Sequence, residues 1–448
     1  MTSVKQFHVL VVPTPAQGHV APLVKLAHQI VDHGIKVTFV NIESAHKKFV
    51  TALPDTYVER QGMRFASIPD GLGSKDHRKD VLEVHEIIQN MPHRFKEFIE
   101  KINGLEEDAK VDYVIADLTA NWALEVAAEM GIKRAGVCVT GPASLALTLQ
   151  IPKLIGDGII DINGTSLKDE SICLSDNIPI WYTDEFVWSF PSNPTMQKIC
   201  FEHASRKSQT IKFCDWILCN TCYETDPSAC DLVPNILTIG PLLASNEHSH
   251  SSGSMRLEDS TCISWLDNQP AGSVVYVAFG SAVVLSHEQF EELEHGLASL
   301  GKPFLWVVPS NIANESVSKF GKVVEWAPQE KVLAHPSTAC FVSHCGWNST
   351  LEGLSNGVPF LCWPNFVDQF HNQKYICDVW KIGLRLDTDK SSGVFSRCEI
   401  KGKIEKLLSD DGIKENALKL KEIVRGSLAN HGSSSRNLEY FIEQMMAD

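Results

Sequence analysis

The chain has 448 residues, 44% hydrophobic and 21% charged, a globular composition with room for two or three domains and no need of disulfide or metal staples. Its 55 acidic and 40 basic residues leave a net charge of −15, which argues against nucleic acid or an anionic membrane surface as the main partner. The 13 cysteines, an odd number, fit reduced thiols better than a disulfide framework. Val9–Val12 is too short for a signal-peptide core, and no run approaches the ~20 apolar residues of a membrane span. The expectation is a cytoplasmic monomer with no membrane span.

In chain order, Phe7–Val12 reads as a strand. It exits into Thr14-Pro-Ala-Gln-Gly-His19-Val-Ala-Pro22, where Gly18 permits a tight turn and Pro22 suits a first helical turn. The helix Pro22–His33 stops at Gly34, and Lys36–Asn41 is the next strand. Val111–Ala116 is a strand that ends at Asp117, followed by the helix Trp122–Met130 and the strand Arg134–Val139. Gly141–Leu149 and Trp181–Met196 are candidate linings for a small-molecule pocket. The aromatics Trp181, Tyr182, Phe186, Trp188 and Phe190 fit an apolar ligand and packing equally well.

Leu243–Ser254 is small, polar and aperiodic, and reads as a linker. The alternation then resumes with Ser273–Phe279, Glu288–Leu300, Phe304–Val308, Cys340–Ser343, Leu351–Asn356 and Phe360–Trp363. Apolar strands alternating with helices imply an α/β protein with parallel sheets. The expected division is an N-terminal domain over 1–243, a linker over 244–260, a C-terminal domain over 261–430 and a last helix over 431–448, packing back on the N-terminal domain.

Three constellations carry chemistry. His19 and Asp117 end two strands, and adjacent parallel strands would bring them together. A carboxylate on one imidazole nitrogen raises the basicity of the other, which could then deprotonate a hydroxyl. A lone histidine is more often structural. In the second half, Ala339–Ser343 leads into the turn His344-Cys-Gly346 and a helix starting near Asn348, whose free N–H groups suit an anion. His344, Asn348 and Ser349 can add donors to a diphosphate, and Asp368-Gln369 at the next strand exit suits sugar hydroxyls. Ser349 and Glu352 could instead form a capping box, and Trp326, Trp347 and Trp363 could be core aromatics. Cys219-Asn-Thr-Cys222 has metal or redox spacing but no second pair. Asp387-Thr-Asp389 reads as a solvated turn, and no Gly-x-Gly-x-x-Gly or P-loop is present.

Trp326-Ala-Pro-Gln, His344-Cys-Gly-Trp-Asn-Ser, Leu351-Glu-Gly and Asp368-Gln form one ordered 44-residue block from Trp326 to Gln369. With Pro15-Ala-Gln-Gly-His19 and Tyr276-Val-Ala-Phe-Gly-Ser281, the block resembles that of the plant family 1 UDP-glycosyltransferases. The resemblance implies a GT-B fold, two Rossmann-like domains with parallel sheets facing an interdomain cleft. It implies an acceptor-binding first domain and a UDP-sugar-binding second domain. It implies that Trp326 stacks on uracil, with Ala327 and Gln329 beside the base and ribose. Glu352 takes the ribose hydroxyls, Ser281, His344, Asn348 and Ser349 hold the diphosphate, and Trp347, Asp368 and Gln369 contact the sugar. His19 is the implied base and Asp117 its partner. UDP-glucose is the implied donor, with no metal, and a small lipophilic hydroxylated metabolite accepts the sugar with inversion. A UDP-sugar epimerase or hydrolase and a non-catalytic UDP-sugar sensor are the competing classes. The block is silent on which acceptor is used.

Overall fold

The structure, a computed structural model, describes residues 6–53, 61–70, 81–105, 110–190, 192–243, 253–308, 321–388 and 393–447. Most of the linker reading, 244–252, and Asp389 of the Asp-x-Asp motif lie outside the described residues. The chain divides into two compact units, Met1–Arg256 with Ser427–Asp448, and Leu257–Gly426.

The first unit is built on seven strands: β1 (His8–Val12), β2 (Lys36–Ile42), β3 (Met63–Ile68), β4 (Tyr113–Asp117), β5 (Lys133–Cys138), β8 (Trp216–Cys219) and β9 (Ile236–Thr238). All pair in parallel, in the order β3-β2-β1-β4-β5-β8-β9. A separate two-stranded antiparallel ribbon joins β6 (Ser171–Ile172) to β7 (Trp181–Tyr182). Buried on both faces, β1 and β4 are apolar almost throughout. On one face, Val20, Leu23, Val24, Ala27, Ile30 and Val31 form the apolar stripe of the helix Gln17–Asp32 and pack on Val9, Val11, Val37, Phe39 and Ile115. The last helix, Ser433–Ala447, joins the same core through Phe441, Ile442 and Met445. It is pinned to this unit by Ser434 Oγ donating to the Gly240 carbonyl at 2.7 Å and by Asn437 Nδ2 donating to the Thr238 carbonyl at 2.9 Å.

The second unit holds β10 (Val274–Ala278), β11 (Phe304–Val307), β12 (Gly321–Val324), β13 (Thr338–Ser343), β14 (Phe360–Cys362) and β15 (Gly383–Arg385), all parallel, in the order β12-β11-β10-β13-β14-β15. Each sheet therefore reverses its winding once, between β1 and β4 and between β10 and β13. Open α/β sheets bind ligands at such switch points, outside the carboxyl ends of the strands. Both switch points carry residues that the sequence marks.

Candidate active site

At the first switch point, β1 and β4 lie side by side, with Val12 opposite Ala116. One residue on, Asp117 is buried. The helix after β1 begins at Gln17, five residues earlier than the sequence suggests. Gly18 therefore does not form a tight turn and Pro22 does not open the helix; Gly18 is the second helical residue and Pro22 lies in the second turn. His19 is third, in the first turn, and its Nδ1 hydrogen-bonds Asp117 Oδ2. Gln17 fastens this turn from outside, donating to the Gly253 carbonyl at 3.3 Å and accepting from the Met255 N–H at 2.7 Å.

A carboxylate only accepts, so Nδ1 carries a proton, and in the neutral ring the lone pair lies on Nε2. Burial pushes the Asp117 carboxyl upward. The charge and hydrogen bond of His19, the Thr119 N–H and the charge of Lys207 outweigh it and hold the group below the usual carboxylate range. The Thr119 N–H donates to Oδ1 at 2.7 Å, so both carboxylate oxygens are engaged. Neither Thr119 nor Lys207 carried a sequence signal, since one acts through its backbone and the other from a distant helix.

The second switch point has the same plan with different chemistry. β10 exits into Phe279-Gly280-Ser281, and β13 exits into His344-Cys345-Gly346. Gly280 has φ +71°, and a Cβ there would sit 2.7 Å from His344 Nε2. A Cβ on Gly346 would also overlap the ring, so backbone without side chains flanks the imidazole on two sides. Burial lowers the His344 pKa to about 4 against an opposing Ala278 backbone contact, so the ring is neutral at pH 7. Cys345 takes φ +64°, a costly conformation for a residue with a side chain. It is over-determined: its N–H donates to Ser343 Oγ at 3.1 Å and its carbonyl accepts from Asn372 Nδ2 at 2.9 Å. Asn372 also reaches Asp368 Oδ2 at 3.1 Å and so ties this turn to the loop after β14. In that loop Val367, a β-branched residue, has φ +50°.

The helix after the turn runs Trp347–Asn356 with Gly346 as N-cap. Starting one residue before Asn348, it makes Ser349 its third residue, so Ser349 cannot cap it and the capping box does not form. Ser349 and Glu352 both accept instead from Gln329 Nε2, at 2.8 and 2.6 Å. Asn348 is half-buried on the same first turn, and Ser281 is exposed at its strand exit. Gln369 accepts from the N–H groups of Asn365 and Phe366 at 2.8 and 3.2 Å, which turns its oxygen into the loop.

The three tryptophans separate clearly. Trp363 is core, edge-on to Phe279 and Phe395, and Trp347 is buried against Trp380. Trp326 is half-buried beside the buried Ala327. The aromatics of 181–190 divide too: Trp181, Phe186 and Trp188 are fully buried, with Trp188 packed on Phe186 and Phe201, whereas Tyr182 is half exposed. Cys219 and Cys222 are buried free thiols. Among the described residues, no group of three or more His, Cys, Asp and Glu side chains could hold a metal, and no helix is long and apolar enough to cross a membrane.

Two α/β units, each with a parallel sheet that reverses its winding once, place the chain in the GT-B fold class. The family model of UDP-glucoronosyl and UDP-glucosyl transferases matches residues 187–427. UDP-glycosyltransferase 83A1 of Arabidopsis thaliana is 43% identical over 97% of this chain and 96% of its own. A myricetin 3-O-rhamnoside 1,2-glucosyltransferase of Crocosmia x crocosmiiflora is 32% identical over 97% of this chain and 95% of its own. Among solved structures, Os79 of O. sativa in complex with UDP superposes with a TM-score of 0.82 at 26% identity, covering 98% of this chain and all (100%) of that one. Phytolacca americana UGT2, complexed with UDP-2fluoro-glucose and pterostilbene, gives 0.80 at 26% identity and the same coverage, 98% and 100%. The chain belongs to the plant family 1 UDP-glycosyltransferases.

Proposed function

We propose that this UDP-glycosyltransferase moves glucose from UDP-glucose to a hydroxyl of a small lipophilic molecule, forming a β-O-glucoside with inversion. The observation that carries the reading is the His19–Asp117 hydrogen bond at the first switch point. His19 Nε2 takes the acceptor's hydroxyl proton as the oxygen bonds to the anomeric carbon. The bond from that carbon to the β-phosphate oxygen breaks, and UDP leaves with the electron pair. Such general base catalysis is worth on the order of 10²–10⁴ in rate, and Asp117 holds the tautomer and offsets the imidazolium charge.

The donor roles fall to the second unit. The flat ring of half-buried Trp326 suits uracil, with Ala327 beside it, and Glu352 with Gln329 suits the ribose diol. Ser281, neutral His344, Asn348, Ser349 and the helix N-terminus offer donors to the diphosphate, where charge grows as UDP departs. Trp347, through its N–H at the first helical position, and Asp368 and Gln369 suit the glucosyl hydroxyls. With donors supplied by backbone and neutral side chains, no metal is called for at the phosphates.

Glucose as donor is supported by Trp347 and Gln369 and by the absence of an evident cationic clamp for a glucuronate carboxylate in the 44-residue block. The bound molecules of the neighbours support a lipophilic acceptor: pterostilbene for one, a trichothecene for the other. A cytoplasmic monomer completes the reading. A panel of hydroxylated metabolites assayed with UDP-glucose, UDP-glucuronate and UDP-galactose tests it. The highest kcat/KM is expected with UDP-glucose, and a higher value with either rival overturns the donor choice.

A further inference from the structure

The Gln329 side chain has both N–H groups and its oxygen engaged inside the second unit. Its Oε1 accepts from Tyr276 Oη at 3.1 Å, and its Nε2 donates to Ser349 Oγ at 2.8 Å and Glu352 Oε2 at 2.6 Å. The carboxylate decides the amide's orientation. Glu352 can only accept, so the NH2 must face it, Oε1 must face Tyr276, and the phenol must donate. Tyr276 is placed for this with little freedom. It lies in β10, buried, and its ring stacks on Phe341 with centroids 5.0 Å apart and planes 25° from parallel. Among the described residues, Gln329 is its hydroxyl's hydrogen-bond partner.

We propose that Tyr276 is a positioning residue for donor binding: through Gln329 it fixes the rotamer of Glu352 that presents a carboxylate oxygen to the ribose diol. The inference rests on the reading of Glu352 as the ribose ligand and adds a relay that stands behind it. Burial, then the nearby Glu352 charge, keeps the Tyr276 phenol well above its usual pKa, so it remains a donor at any assay pH. Without the phenol, the Gln329 amide still turns its NH2 to the carboxylate, but its Oε1 loses the buried donor that anchors it, and the amide and the Glu352 carboxylate bonded to it are free to swing together. The relay also changes the part given to Gln329. With both N–H groups spent on Ser349 and Glu352, it orients the ribose site rather than donating to the nucleotide.

The test uses the full-length chain, with UDP and 2′-deoxy-UDP as probes in calorimetric titrations. The wild type should bind UDP more tightly, and Glu352→Ala should bring the two affinities close together. Tyr276→Phe keeps the ring stack and should raise the Kd for UDP about five- to tenfold. It should also lower the preference for UDP over the deoxy probe, with KM for the donor rising and kcat nearly unchanged. A merely structural role for Tyr276 would weaken both probes alike. Gln329→Met should reproduce the effect, and the double variant should be no worse than Gln329→Met alone. If Glu352→Ala leaves the discrimination intact, the ribose reading fails and the relay with it. If Glu352→Ala abolishes discrimination while Tyr276→Phe and Gln329→Met keep it, the ribose reading stands and the relay is overturned.

Discussion

The two units share a topology and differ in what they do with a histidine. Each sheet reverses its winding beside its first strand, and each places an imidazole at that point. His19 meets a buried carboxylate held below its usual pKa, whereas His344 is half-buried against glycine backbone and its pKa is lowered to about 4. One ring is equipped to take a proton and stabilise the charge it gains. The other is kept neutral, which avoids the cost of burying a cation. The fold therefore supplies the place, and the neighbour decides the chemistry.

The sharpest way to break this contrast is to exchange its consequences. His19→Ala should lower kcat by a factor of about 10²–10⁴ with a poorly acidic aliphatic alcohol, while UDP affinity stays within about twofold. Asp117→Asn should impair the same step, and the double variant should be little worse than His19→Ala, because the two act as a unit. Near-wild-type kcat for His19→Ala on such an alcohol would send the search for the base elsewhere. Acidic phenols are poor probes, since they ionise without help.

The second unit should answer to its backbone first. Gly280→Ala places a methyl 2.7 Å from His344 Nε2 at φ +71°. A loss of about 1–3 kcal/mol in stability is expected, with weaker UDP binding, measured by denaturant melts and titration. An unchanged melt would mean that the imidazole can move aside. The next effect is one of pH. Between pH 6.5 and about 4 the unfolded chain protonates His344 and the folded chain does not. Stability is therefore lost as pH falls through that window, by up to about 3 kcal/mol from this group. In denaturant melts, His344→Gln should lose less on acidification than wild type; parallel losses would contradict the neutral ring. The smallest expected effect is that of EDTA, which should leave turnover within about twofold. Loss of most activity, restored by manganese, would overturn the phosphate-site argument.

The two units also differ in how much their sequence discloses. The inner strands β1, β4, β5, β10 and β13 are legible because strands buried on both faces must be apolar. The edge strands Met63–Ile68 and Gly321–Val324 are hard to read from sequence, since the exposed Arg64 and the half-exposed Lys322 break the apolar pattern. The helix at Gln17 begins without a capping side chain, and Gly18 and Pro22 read as breakers, which placed its start too late. Ser349 and Glu352 show the opposite error. Their spacing matches a capping box, but a partner 20 or 23 residues away in sequence takes both side chains. His19 and Asp117 could be paired from sequence because both end apolar runs that adjacent strands align. Tyr276 could not be tied to Gln329, 53 residues on, by any local pattern.

The most direct test of the proposed reaction is the anomeric configuration of its product. The purified chain is incubated with UDP-glucose and an aliphatic alcohol, and the released UDP and the glucoside are followed together by proton NMR. One β-linked glucoside per UDP is expected, because a base-assisted displacement inverts the α-linked donor. An α-linked glucoside, or UDP released with free glucose alone, would contradict it.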